Sequence, residues 1–151
     1  MIISLGIGVP LGFYSALKQG TRTDPSIVGS TLMLNALPVF LTAPVLIIVF
    51  SLRLGWVPVS GWGGFFDVRI LLPAITVGIG GIAVFTRLMR ASTLDVLGQD
   101  FVRTARSKGL GESVVRRRHI ARNALIPILT VLGFSLAGMF GGSFITELIF
   151  G

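Results

Sequence analysis

The chain has no cysteine, so disulfide staples and thiolate chemistry are excluded. It has a single histidine, His119, and six scattered acids, a donor set too sparse for a metal centre. Charge of either sign is scarce: 13% of residues are charged, against roughly 25% in soluble domains. The nucleotide-cradling pattern of a glycine loop followed by Lys-Ser/Thr is missing, so this sequence carries no P-loop for ATP chemistry of its own. No basic residue precedes the first apolar run, as a signal peptide would require; Lys18 and Arg22 follow it instead. That run reads as a span entering from outside. Both ends, at Met1 and after Phe150, look cut, and the expectation is a fragment of a longer membrane protein.

What is abundant is apolar surface. In 151 residues, 52% are hydrophobic, and the mean hydropathy is +0.88. A soluble chain this small could not hide so much, because small domains leave a large fraction of their surface exposed. The expected fold class is therefore all-α: a polytopic transmembrane helical bundle, since continuously apolar segments in lipid must satisfy their own backbone groups. Four spans are expected, over about 1–17, 27–52, 70–86 and 125–149, in a single domain with a cytoplasmic region over 87–124. Pro38 and Pro44 are expected to bend the second span, either to line a path or to satisfy packing.

Charge fixes the orientation. Nine of the thirteen Lys/Arg fall between Arg87 and Asn123, with three acids among them, a net charge of +6. A basic loop tied to spans on both sides stays on the cytoplasmic face. The loop holding Trp56, Trp62, Phe65 and Phe66 then lies outside, where an interfacial aromatic belt fits. Two rows of small residues recur every fourth position: Ser4, Gly8, Gly12 and Ala16 in the first span, and Gly133, Ala137 and Gly141 in the last, with Gly138 and Gly142 beside them. Such rows let helix backbones approach closely, although glycine is common in membrane helices generally.

Within the basic block, Ser92-Thr93-Leu94-Asp95 has the form of a helix-start capping box. Leu94, Leu97, Phe101 and Ala105 follow as an apolar stripe, with Arg103 and Arg106 off it. Gly109 is placed to terminate that helix, and Gly111 and Glu112 open a second one carrying Arg116, Arg117, Arg118 and Arg122. Asn123 and Pro127 mark its junction with the last span. The block reads either as a lever joined to two spans, or as a basic loop that sets topology and touches anionic headgroups. His119 is a candidate for titration near neutrality or a packed histidine. Glu147 is an acid in an apolar stretch, functional or interfacial. Asn35 either bonds across helices or faces a path.

The stretch Gly98–Glu112 (GQDFVRTARSKGLGE), with Arg118–Pro127 (RHIARNALIP), closely resembles the cytoplasmic signature of binding-protein-dependent ABC importer permeases. It is most similar to the dipeptide/oligopeptide/nickel branch. PLGFYSALK (10–18), LGWVP (54–58) and RLMRAS (87–92) match as well, so the resemblance covers nearly the whole chain. Of the general family pattern E-A-A-x3-G-x9-I-x-L-P, only Ala105 and Gly109 stand in place; Arg103 and Thr104 take the first two positions, and His119, Ala121 and Arg122 the later ones.

The resemblance implies a subunit of an ATP-driven importer for peptides or similar small solutes, lacking its first and last spans, in a bacterial or archaeal cytoplasmic membrane. Its ATPase-coupling residues would be Arg103, Thr104, Ala105, Arg106, Lys108, Gly109, Leu110 and Gly111. The implied partners are a second permease subunit, two cytoplasmic ATPase subunits, an extracytoplasmic solute-binding protein and membrane lipid, with no nucleic acid and no cofactor. A transport subunit of this kind is not itself an enzyme. The alternative from another class is a small membrane-anchored protein whose basic block grips anionic lipid or nucleic acid without transport.

Overall fold

The computed structural model describes residues 1–59, 61, 64, 67–139 and 144–150. Eight α-helices are found among them: α1 (Ile2–Leu17), α2 (Thr23–Asn35), α3 (Val39–Leu46), α4 (Leu71–Leu97), α5 (Asp100–Ser107), α6 (Glu112–Val114), α7 (Arg122–Met139) and α8 (Phe144–Phe150). A π-helical stretch, Ile47–Arg53, prolongs α3, and another, Val115–Ala121, joins α6 to α7 without interruption. Among the described residues no strand occurs.

Two helices are long and apolar enough to cross a membrane alone, Val68–Leu97 and Glu112–Gly138. Thr23–Asn35 and Val39–Arg53 qualify only as a pair, bent by 86°. The expected bend in this segment is therefore a full break. Pro38, at φ −61° and ψ 146°, starts α3 from an extended conformation. Its ring also disfavours helix at the residue before it, and α2 ends with Ala36 N–H bonded back to Leu32 and Met33. Pro44 lies inside α3, which continues past it.

The tightest packing joins α1 to α4. Ser4, Gly8, Gly12 and Ala16, the small-residue row read from the sequence, are all buried. They meet a second pair of small residues on α4, Gly78 and Gly81, whose three-residue spacing lies outside the four-residue rows. A Cβ on Gly8 would stand 2.8 Å from the Ile82 carbonyl oxygen, and one on Gly78 would stand 2.9 Å from the Ile3 Cβ. Ser4 Oγ donates to the Gly78 carbonyl oxygen across the seam at 2.9 Å. Backbone thus lies against backbone, the arrangement that gives membrane helices dispersion contact where lipid supplies no hydrophobic drive. The corresponding row on α7 behaves differently: Gly133, Ala137 and Gly138 are exposed, and a Cβ at either glycine would meet nothing within 4 Å. Gly141 and Gly142 lie outside the described residues, as do Trp62, Phe65 and Phe66.

Polar ties hold the end of α4 at which the basic block begins. Arg90 clasps Asp24 at the start of α2 with two hydrogen bonds of 2.6 Å, and Ser15 Oγ donates to the same carboxylate at 2.5 Å. The α1–α2 turn is thereby fastened to α4. Ser92 Oγ donates to the Ala124 carbonyl oxygen at 2.9 Å, linking α4 to α7. Around it pack Phe85, Met89, Ala124 and Ile128. This corrects the capping-box reading of Ser92–Asp95. Ser92 and Thr93 are buried in the body of α4, where tertiary packing outweighs their local preference for a helix start. The next helix begins after Gly98 and Gln99 instead, with Gln99 extended at ψ 146° as its N-cap.

Candidate coupling elbow

Between α4 and α7 the chain folds into a closed helical hairpin. Helix α5 presents Val102 and Ala105 inward, and both are buried against Val115 and Ile120, with Val96, Leu97 and Phe13 at the margin. The inward positions differ from the expected stripe by one register: Phe101 is exposed and Val102 takes its place. A three-residue spacing from 102 to 105 serves a short helix as well as the spacing from 101, and the helix that follows decides between them.

Gly109 makes the turn. Its φ of +74° lies in the left-handed region. Gly109 N–H bonds to the Arg106 carbonyl at 2.9 Å, and Leu110 N–H to the Ala105 carbonyl at 3.4 Å. These are the two crossed bonds of a Schellman C-cap, with glycine at the position that requires positive φ. Nothing lies within 4 Å of a Cβ built there, so the demand for glycine is conformational, not steric. Gly111, extended at ψ 141°, then opens α6, its carbonyl accepting from Val114 and Val115.

Electrostatics close the hairpin from outside. Glu112 accepts from Arg106 Nε at 3.2 Å and Nη2 at 3.0 Å, and from Arg116 Nε at 3.3 Å. Hydrogen bonds from Arg106 chiefly, with Arg116 in support, hold the Glu112 carboxyl below the usual carboxylate range against a smaller opposing effect of desolvation. The same bonds raise the Arg106 guanidinium. From the sequence, Glu112 is expected only in a first helical turn. The four-residue spacing to Arg116 was a usable signal of the clasp; the reach to Arg106 depends on the Gly109 turn and was not.

The expected residues 103–111 are gathered on this one hairpin, but their surroundings differ. Ala105 is interior. Arg103 is outward and sits 3.5 Å from Asp100. Thr104 Oγ1 donates to the Asp100 carbonyl. Lys108 has no ion-pair partner among the described residues. An open hollow of about 340 Å³ lies on the outer side, lined by Phe101, Thr104, Ala105, Lys108, Leu110 and His119. His119 is half-buried in its wall, and its carbonyl accepts from Asn123 Nδ2 at 2.6 Å. Phe101 and Leu110, both 41% exposed, give the hollow an apolar rim beside one free ammonium. Among the described residues no group of three or more His/Cys/Asp/Glu could hold a metal ion.

An all-α membrane bundle carrying a basic helical elbow is the class these features define. The chain belongs to the family of binding-protein-dependent transport system inner membrane components, whose model matches residues 8–151. It is 37% identical over 145 residues to the oligopeptide transport system permease protein OppB of Haemophilus influenzae, covering 96% of this chain and 47% of that protein. To OppB of Salmonella typhimurium it is 37% identical over 150 residues, 99% and 49% of the two chains. To the di/tripeptide transport system permease protein DppB of Pseudomonas aeruginosa it is 36% identical over an alignment of 176 residues, 99% and 52%. The chain spans about half the length of these curated relatives.

Proposed function

We propose that this chain forms the core of a permease subunit in an ATP-driven importer of peptides or similar small solutes. The observation that carries the reading is the elbow: a hairpin closed by an apolar seam, a Schellman turn and a carboxylate clasp, joined to α4 through the short Gly98–Gln99 break on one side and continuous with α7 on the other. A load on such a hairpin passes into two membrane helices. The names of the relatives support transport of oligopeptides and di- or tripeptides as the solute class.

In this reading residues 87–124 lie in the cytoplasm. The hairpin carrying Arg103, Thr104, Ala105, Arg106, Lys108, Gly109, Leu110 and Gly111 docks on one of two ATPase subunits, which carry out ATP hydrolysis, with Ala105 supporting the surface from inside. A second permease subunit completes the path, and a solute-binding protein delivers from outside. The competing picture of a loose polycation gripping lipid or nucleic acid fits the hairpin less well, because Arg103, Arg106 and Arg116 are each engaged by an acid of the hairpin itself.

The test is Gly109→Pro or Gly109→Leu in the assembled transporter. Proline and leucine both resist positive φ, so the elbow must distort. The expected outcome is normal membrane insertion with loss of ATPase co-purification and of transport. Variants that still assemble and transport overturn the coupling role. Protease access to residues 100–115 from outside intact cells overturns the orientation.

A further inference from the structure

A second basic hollow lies away from the elbow. It has a volume of about 460 Å³, stands open, and is lined by Asp24, Pro25, Val28, Arg87 and Arg90. Its charges are unequally engaged. Arg90 is spent on Asp24 through two 2.6 Å bonds, and Ser15 adds a third bond to that carboxylate. Arg87, one helical turn earlier on α4, is exposed and has no hydrogen-bond or ion-pair partner among the described residues. The lining therefore presents one neutralised pair and one uncommitted guanidinium, a net charge of +1. The adjoining α1–α2 turn adds two more exposed cations, Lys18 and Arg22.

The apolar part of the hollow continues along α2. Pro25 and Val28 floor it, and Leu32, 39% exposed, follows four residues after Val28 on the same face. A cation above an apolar track, at the point where the basic block begins, is complementary to an amphiphile with a singly charged head.

We propose that this hollow binds the phosphodiester headgroup of an anionic phospholipid, with Arg87 donating in fork geometry to the phosphate and an acyl chain lying along Pro25, Val28 and Leu32. A guanidinium suits the task because its paired N–H groups match phosphate oxygens. Asp24 does not repel the ligand, because both of its oxygens are already occupied by Arg90 and Ser15. The site rests on the reading above only for which leaflet it faces. Lipid retention requires neither the ATPase nor a transport assay, so the two can fail separately.

The experiment uses the full chain in neutral detergent, with native mass spectrometry counting bound dioleoylphosphatidylglycerol or dioleoylphosphatidylcholine. One phosphatidylglycerol is expected to be retained in preference to phosphatidylcholine. Arg87→Gln, which removes no hydrogen bond or ion pair among the described residues, weakens it about fivefold, the worth of one basic residue at a lipid surface. Arg87→Lys weakens it less. Arg117→Gln, which alters an exposed arginine of the elbow, leaves it unchanged. Equal retention of the two lipids overturns the proposal, as does a loss in Arg117→Gln equal to that in Arg87→Gln, which indicates diffuse attraction. Displacement of the lipid by equimolar glycerol phosphate also overturns it, assigning the hollow to a free anion.

Discussion

Replacing Gly12 by alanine adds one methyl group to the narrowest point of the bundle. A Cβ there falls on the Thr86 carbonyl oxygen, stands 2.9 Å from the Met89 Cβ and 3.0 Å from the Thr86 carbonyl carbon. The nearest obstacle is backbone, which cannot rotate aside, so α1 and α4 must separate along their shared length. Overpacking of this kind costs about 1–3 kcal/mol, while the better helix propensity of alanine returns at most about 1 kcal/mol. The net expectation for Gly12→Ala is a loss of about 1–2 kcal/mol. Gly6 lies on the same helix, but a Cβ there meets nothing within 4 Å. Gly6→Ala should therefore be neutral or slightly stabilising, giving opposite signs six residues apart. Gly81→Ala supplies a further check. There the obstacles are the Ser4 Oγ and, at 2.7 Å, the Ser4 Cβ, so Ser4→Gly should rescue Gly81→Ala, whereas Met89→Ala should not rescue Gly12→Ala. Reversible unfolding in bicelles measures all of these. If Gly12→Ala is as stable as the parent, or if Met89→Ala restores it, the backbone-to-backbone account is wrong.

Removing one partner of the Arg90–Asp24 pair leaves a largely buried charge unanswered. Arg90→Ala is expected to cost about 3 kcal/mol, the lower end of the range for buried pairs because Arg90 is partly exposed. The double variant with Asp24→Ala should cost less than the sum of the single changes in a double-mutant cycle. At the elbow, Gly109→Ala should destabilise the hairpin by about 1–2 kcal/mol, the cost of a left-handed L-residue, with Gly109→Asn milder; hydrogen exchange at Lys108–Glu112 reads this out. The clasp at Glu112 should respond to acid. Its carboxyl is depressed in the folded state, so its contribution is present above the unfolded carboxylate pKa and fades as pH falls through the folded one. Elbow protection should thus decline below about pH 4.5, the ordinary glutamate value, and Glu112→Gln should abolish that decline.

Much of this molecule is legible in one dimension. The row Ser4, Gly8, Gly12 and Ala16 marks a helix seam by its four-residue repeat, yet the equally spaced Gly133 and Ala137 are exposed, so the repeat offers a seam and only a facing helix makes one. Gly109 announces a turn because few other residues tolerate its φ. The family resemblance was carried by a contiguous run over the elbow, where local sequence and local structure coincide. What stayed hidden depends on partners distant in sequence. Asp24 and Arg90 are 66 residues apart, and nothing near either one names the other. Gly78 and Gly81 stand three apart, outside the four-residue row, and became visible only against α1. The Ser92–Asp95 motif misled because a capping box and a buried Ser-Thr step share one composition, and only burial distinguishes them. Phe101 misled by spacing: the stripe Leu94, Leu97, Phe101 and Ala105 assumes one unbroken helix, but the break at Gly98–Gln99 resets the register and Val102 packs against Val115 and Ile120 instead.

The α1–α4 seam has a mechanical corollary. With the Gly8 and Gly12 faces lying on bare α4 backbone, sliding one helix along the other by a single residue would drive larger side chains into carbonyl groups. The two are in effect welded, and whatever displaces α4 must carry α1 as ballast. The bundle accordingly has one fewer independent moving part than it has long helices, and flexing is left to the joints lacking such a weld, foremost the break before Pro38.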